Sequence, residues 1–331
     1  MAAFPTTRLR RLRGHENLRR LIRETPLSVS DFVLPLFIHH GKNINNPIVS
    51  MPGQSQISID NLTSEIKSIT DLKIPAVLLF GLPEFKDDHG SSSWHPEGII
   101  QRATKEIKKL NPDLLVIADL CFCEYTDHGH CGVMNEKSGR IDLDNDATLE
   151  NLAKQAVSLV QAGVDVIAPS GMLDGMVHSI RAALDQAGFV HVPILSYSVK
   201  FSSSMYGPFR EAADGAPQFG DRRSYQMDPP NGREALREAR HDILEGADML
   251  MVKPAHTYLD VIARVKDEFP DIPMGAYHVS GEYSMIKAAA EKGWLDEKAA
   301  ALEVLTSIKR AGADFIITYF AKDATRWLSE V

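Results

Sequence analysis

All three cysteines of the 331-residue chain, Cys121, Cys123 and Cys131, fall within one segment, CFCEYTDHGHC. Thiolates gathered this closely, with His128 and His130 among them, suit a soft, thiol-preferring ion such as Zn²⁺. Core packing alone gives no reason to bring scattered small apolar side chains together in this way. A structural disulfide would leave one thiol over, and so few cysteines in a chain this long do not suggest a secreted scaffold. The spacing C-x-C-x7-C also departs from finger and ribbon patterns. The expected arrangement is three protein ligands, with a fourth position open to water or substrate.

Lysine supplies a second chemistry. Lys200 closes the run ILSYSVK and Lys253 closes MLMVK. One such lysine could simply lay its stem on the core and keep its ammonium in water. Two at equivalent positions in one cavity would repel, and desolvation would penalise both charges, so at least one is expected to be neutral near pH 7. The two would titrate as a coupled unit. A neutral amine is a nucleophile whose natural electrophile is a ketone or aldehyde. The Schiff base that results is an electron sink for carbon–carbon bond chemistry. Arg210 and Arg222 are suited to gripping a substrate carboxylate bidentately, against the plainer reading of a solvated, salt-bridged loop. Asp119, two residues before Cys121, could orient a lysine or a substrate amine, or only cap a turn.

Positioning these groups requires a repetitive scaffold. Apolar runs recur at 33–38, 75–81, 114–120, 164–170, 192–198, 247–253, 272–278 and 313–319. Their near-continuous hydrophobicity fits parallel strands covered on both faces. Helical patterns lie between them, clearest in DATLENLAKQAVSLVQAG, where Leu149, Leu152, Ala153, Ala156, Val157 and Val160 share one face and Gly163 supplies the stop. Three strands are entered through echoes of one phrase: AGVDVIAPS, EGADMLMVKP and AGADFIITYF. The pattern predicts an α/β fold, a (β/α)8 barrel spanning 31–331, with a doubly wound open sheet as the alternative. Polar residues at the strand ends, Asp119, Ser170, Lys200, Lys253, Tyr277 with His278, and Tyr319, would then gather on the catalytic face. The segment 202–232 is the expected lid.

Composition narrows the class. A net charge of -8 argues against nucleic acid as a partner, and 44% hydrophobic with 24% charged residues describes an ordinary globular chain. No apolar run approaches a membrane span of roughly 20 residues, and no secretory leader is evident, so a cytoplasmic location is expected. The basic residues 1–30 read as an arm that packs on a neighbouring subunit, in preference to a transit peptide. No GxGxxG turn or GxxxxGK[ST] loop supports a nucleotide site.

The segments CFCEYTDHGHCG, DNDATLENLAKQAV, SYSVKFSSSMYGPFREA, GDRRSYQMDP, MLMVKPA and YHVSGEYSMIKAAA, spread along the whole chain, resemble the 5-aminolevulinate dehydratase (porphobilinogen synthase) family. The resemblance implies a (β/α)8 barrel with an extended N-terminal arm, assembled as a homo-octamer of arm-exchanging dimers. It implies a lyase of tetrapyrrole and haem biosynthesis that condenses two molecules of 5-aminolevulinate into porphobilinogen with loss of two waters. Lys253 would form the essential Schiff base and Lys200 the second, one for each substrate. Asp119, Ser170, Tyr206 and Phe209 would line the propionate-side site, and Ser280 and Tyr319 would hold its carboxylate. Tyr277 is expected beside them, from its strand-end position. Arg210, Arg222 and Gln226 match the grip on the acetate-side carboxylate. Cys121, Cys123 and Cys131 match the zinc triad of the zinc-dependent type. Glu238 falls where some members carry a ligand to an allosteric Mg²⁺, with Arg11 near that interface.

Two other readings compete. A class I aldolase-type Schiff-base lyase needs only one imine lysine and no thiolate site, so Lys200 and the cysteines count against it. A non-catalytic zinc-binding assembly protein would leave the polar strand ends and the arginine-bearing loop without a role.

Overall fold

The computed structural model of the chain describes residues 3–137 and 139–330. Eight strands form the barrel: β1 (Phe32–His39), β2 (Ala76–Leu82), β3 (Leu115–Leu120), β4 (Val166–Pro169), β5 (Leu195–Lys200), β6 (Met249–Lys253), β7 (Met274–His278) and β8 (Phe315–Thr318). Their order in the sheet is β4-β3-β2-β1-β8-β7-β6-β5, and every neighbouring pair is parallel. A bridge between Ile167 and Ile194 joins β4 to the approach of β5 and closes the ring. The closure rules out the doubly wound alternative, whose sheet would keep two open edges.

All seven residues of β2 and all six of β5 are buried, because helices cover the outside while side chains fill the inside. The helix Asn145–Gln161 shows how the cover is set. The Asp144 side chain accepts from the Ala147 N–H at its start, and Leu152, Ala156, Leu159 and Val160 are buried. Just past its end Gly163 has φ +103°, where a side chain would be strained. Burying one Leu or Val contributes roughly 1.5–3 kcal/mol, against about 1 kcal/mol for a cap. The apolar stripe therefore fixes where the helix docks, and the cap fixes where it begins.

The apolar run at 192–198 stops two residues short of the end of β5, which continues to Lys200, the residue expected to close it. The serines that interrupt the pattern are compatible with burial because they find partners: Ser196 Oγ donates to Asp242 Oδ2 at 2.6 Å, on the outer helix Glu234–Glu245.

The beginning of the chain lies off the barrel. Helices Leu9–Leu12 and Glu16–Leu21 bury none of their residues, and Leu9 and Leu21 are 69% and 81% exposed. Among the described residues no helix is long and apolar enough to cross a membrane.

Candidate active site and metal centre

Lys253, the last residue of β6, has Lys200, the last residue of β5, as its register partner. The register shifts between Leu250 and Val252, so that Tyr197 and Ser198 together face Met251. A bulge of this kind reverses the alternation beyond it. Ser196 thus points outward to Asp242, whereas Tyr197 and Lys200 both reach the interior, with the Lys200 and Lys253 amines 5.8 and 5.1 Å from the Tyr197 ring centroid. Lys200 Nζ donates to the Ser170 carbonyl at 2.5 Å. Lys253 Nζ instead sits 4.4 Å from the Tyr277 ring, with Phe209 and Tyr206 at 5.2 and 5.3 Å. Aromatic faces offset only part of the cost of a buried ammonium. Burial, reinforced by Lys200 and opposed by Asp119, pushes the Lys253 amine down to about 7.

Asp119, on β3, accepts from Ser170 Oγ at 3.0 Å. Burial raises its carboxyl above the usual range, against the pull of Lys253 and Lys200. Its Oδ1 and the hydroxyl of the fully buried Tyr197 have no partner in hydrogen-bond geometry.

Cys121, Cys123 and Cys131 converge beside this pair. All three are buried and free, their sulfurs lie within 4.8 Å of one another, and Cys121 and Cys123 are 3.4 Å apart. Hydrogen bonds from Cys121 and Cys123 hold the Cys131 thiol well below its ordinary value. The Cys123 thiol is pushed up by Cys121, Cys131 and burial. The Cys121 thiol also rises, since Cys131 and burial outweigh its bond with Cys123. Three convergent sulfur donors in a dry pocket fit Zn²⁺. The histidines of the segment stand elsewhere. His130 uses both ring nitrogens on the lid, with Tyr225 Oη at 3.1 Å and the Phe219 carbonyl at 2.9 Å, and His128 meets the Asp88 carbonyl at 3.2 Å.

The lid is latched over this centre. Arg222, buried, donates through Nη2 to the carbonyls of Gly129 and Gly215 at 2.9 and 2.6 Å, spanning metal loop and lid. Burial opposes its charge, but Cys131 and Cys123 outweigh burial and keep it protonated. Gln226 is buried with its Nε2 unpartnered, whereas Arg210 is exposed at the rim. Tyr206 Oη donates to the Phe201 carbonyl at 2.8 Å, and Ser280 Oγ accepts from the Phe209 N–H at 3.0 Å. Tyr277 and Tyr319 share a hydrogen bond of 3.0 Å. Arg210 and Arg222 line one cavity with both lysines, Asp119, Ser170, Tyr206 and Phe209, and its volume of about 20 Å³ admits roughly one water.

Glu238 lies apart from this centre, in a different cavity of about 410 Å³ that also receives Asp142, Asp174 and Glu234. Burial, then Asp242, Glu234 and Asp174, push it up to about 7.

Three residues at the site escape sequence reasoning: Tyr197, Glu124 and Glu282. Glu124, 2% exposed, lines the lysine cavity and is pushed up to about 7 by burial and then by Asp119. Glu282, fully buried, accepts from the N–H groups of Ala255, Thr257 and Val279, and so pins the turn after Lys253. A lone glutamate ordinarily signals surface, so only their place inside the distinctive segments could have pointed to them.

The family model described as "Delta-aminolevulinic acid dehydratase" matches residues 6–327. Delta-aminolevulinic acid dehydratases of Synechocystis sp. and Bacillus subtilis are 57% and 54% identical over 329 and 323 residues, covering 99% and 98% of this chain and 100% and 98% of theirs. A crystal structure of the Toxoplasma gondii ME49 enzyme with its reaction product porphobilinogen superposes with a TM-score of 0.94 at 46% identity, covering 98% of this chain and 92% of that one. With two lysines, three thiols and a latched lid at one barrel mouth, and full-length likeness on this scale, the chain belongs to the delta-aminolevulinic acid dehydratase family.

Proposed function

We propose that this chain condenses two molecules of 5-aminolevulinate into one porphobilinogen with loss of two waters, using Schiff bases on Lys253 and Lys200. The observation that carries this reading is the pairing of two buried lysine amines in register, inside one cavity beside three convergent thiols. Lys253, near half neutral at pH 7, attacks a keto carbon; the N–C bond forms and the carbonyl oxygen leaves as water. A second imine on Lys200 releases the second water. Each imine acidifies the neighbouring carbon, and Asp119, hydrogen-bonded by Ser170, takes and returns that proton. Formation of the new C–C and C–N bonds between the substrates expels both lysines and regenerates their amines.

The chain's other groups orient and exclude. Arg210, Arg222 and Gln226 hold the acetate-side carboxylate once the lid is remade around substrate. Ser280 and Tyr319, with Tyr277 beside them, hold the propionate-side carboxylate, while Tyr206 and Phe209 keep water from the Lys253 imine. Cys121, Cys123 and Cys131 would hold Zn²⁺, which when bound supplies Lewis acidity beside a substrate amine.

The same reading makes residues 1–30 an arm packed on a neighbouring copy in a homo-octamer, supported by exposed Leu9 and Leu21, with 31–331 the catalytic barrel. It makes Glu238 a ligand to an allosteric Mg²⁺, supported by the mutual repulsion of the acidic groups around it, and places the enzyme in the cytoplasm. The test is zinc-loaded protein incubated with 5-aminolevulinate before and after chelation. Pyrrole is scored with an aldehyde colour reagent, and imines are trapped by borohydride. Zinc-dependent pyrrole with adducts on Lys253 and Lys200 is the expected result. Neither pyrrole nor adduct from zinc-replete protein would overturn the reading.

A further inference from the structure

Both ends of the cysteine segment are tied to one helix of the outer layer, Asn145–Gln161. Gln155, 1% exposed, donates through Nε2 to the Cys121 carbonyl at 3.1 Å. At the other end the Val133 N–H donates to Thr148 Oγ1 at 3.0 Å, and the Val133 carbonyl accepts from the Asp144 N–H at 2.7 Å. The Thr148 hydroxyl donates in turn to the Asp144 carbonyl at 2.6 Å, which fixes its orientation. Gly132, beside Cys131, lies so close to this threonine that a Cβ on it would stand 2.3 Å from Thr148 Cγ2.

Seven residues, close to two full turns, separate Thr148 from Gln155. Both side chains therefore leave the same face of the helix, about 10 Å apart along its axis. The helix is a rigid spacer with Cys121 at one end and the residues that follow Cys131 at the other. Packing alone does not account for the amide of Gln155. Its neighbours on the buried face, Leu152, Ala156 and Leu159, are apolar, and its own Oε1 has no hydrogen-bond partner. A buried acceptor left unmatched costs at least as much as one hydrogen bond returns, so an unbranched apolar side chain would serve stability better at this position. What the amide does supply is a fixed place for the Cys121 backbone.

We infer that Gln155 and Thr148 are positioning residues for the thiol centre, bonded to the two ends of the cysteine segment so that Cys121 and Cys131 converge on one ion. The inference rests on the zinc reading proposed above. Groups bonded behind metal ligands set how those ligands point, and the loss of one lowers metal affinity about 10–100-fold.

The experiment measures zinc dissociation constants by competition with a chromophoric chelator, and urea melts of the metal-free proteins, for wild type, Gln155→Met, Thr148→Val and Thr148→Ser. The methionine and valine variants keep the side-chain volume and remove the bond, and zinc affinity should fall about 10–100-fold in each. Metal-free Gln155→Met should melt at the wild-type urea concentration or above it, because the bond and the unmatched acceptor leave together. Thr148→Ser keeps the hydroxyl and should bind zinc within about threefold of wild type, which keeps the test open if the valine variant, with its unpaired Val133 N–H, folds poorly. Leu159→Ala, one turn beyond Gln155, weakens the same helix without touching the segment, so it should lower metal-free stability and leave zinc affinity within about twofold. Wild-type affinity in both Gln155→Met and Thr148→Val would overturn the inference. An affinity that falls as far in Leu159→Ala as in Gln155→Met would overturn it too, and make the helix a general support. Wild type that takes up no zinc at these thiols would instead bring down the metal reading itself.

Discussion

Lys253 and Lys200 face each other in register at the ends of β6 and β5, an arrangement produced by one bulge at Tyr197–Ser198. Without that extra residue, strict alternation would send Lys200 outward with Ser196 and Ser198. The two amines then share a low-dielectric cavity, and their repulsion adds to burial in lowering Lys253 to about 7.

That depression predicts an activity and a stability profile of opposite sense to an ordinary lysine. In wild type, kcat/KM should rise with pH through an apparent value near 7 as the amine becomes neutral, the value belonging to the coupled pair. A profile flat from about pH 6 to 8 would refute this. Folded Lys253 binds its proton less tightly than the unfolded residue, so the charge costs stability in full below pH 7. The cost fades as pH rises toward 10.5. Lys253→Met should therefore lose at least about 10³-fold in turnover yet be more stable at pH 6, on the order of 1–4 kcal/mol, with the gain shrinking by pH 10. Urea melts at the two pH values, with pyrrole assays alongside, measure both effects.

Cys121, Cys123 and Cys131 are the only thiols in the sequence, so none has a substitute. Serine at any one leaves two sulfurs and a poorer oxygen donor. Zinc affinity should fall at least about 100-fold, beyond the 10–100-fold typical of losing a supporting contact. Elemental analysis after dialysis against a weak chelator would show zinc near zero, with turnover lost in step. Retention of one zinc per chain in Cys123→Ser would place the metal elsewhere.

How much of this was legible depended on whether function coincided with a sequence irregularity. The eight apolar runs read directly as barrel strands because parallel strands are buried on both faces. The thiols were legible because three in eleven residues is improbable for packing. The bulge was not, since Ser-Tyr-Ser reads as the end of a strand unless Asp242 is known to stand behind it. His130 was misleading for the opposite reason. Its place between cysteines suggests a ligand, but both ring nitrogens are taken by the lid.

The latch predicts a lid defect from a residue that touches no substrate. Gly129 has φ +70°, and a Cβ there would run into the Ala216 carbonyl of the lid. Gly129→Ala combines backbone strain with a backbone clash, so loop and lid must separate, at about 1–3 kcal/mol. Arg222 would lose its bridge to the Gly129 carbonyl. Turnover should fall about 10-fold or more while zinc stays bound, and hydrogen exchange should quicken across 214–226 but remain slow in the barrel strands. Unchanged exchange in that segment would show that the lid does not depend on this contact.

Glu282 tests whether hydrogen bonding or charge burial governs a buried carboxylate. Burial pushes it up to about 7, so ionisation above that pH costs stability, and on charge alone a neutral amide would be an improvement. The geometry argues the reverse. Oε2 accepts from Val279 N at 3.0 Å and Ala255 N at 3.4 Å, while Oε1 accepts from Thr257 N at 3.0 Å. An amide would set its NH2 against one group of these donors whichever way it turned. In the better of its two orientations the NH2 faces the Thr257 N–H alone, and one buried N–H left facing a donor costs about 1–3 kcal/mol, which outweighs relief of a carboxylate only half ionised at neutral pH. Glu282→Gln should therefore destabilise the chain by about 1–3 kcal/mol at pH 7. Because the lost contact anchors Thr257, just after Lys253, kcat should drop with KM for 5-aminolevulinate little changed. A variant as stable as wild type, with an unaltered borohydride-trapping rate at Lys253, would show that the turn holds itself.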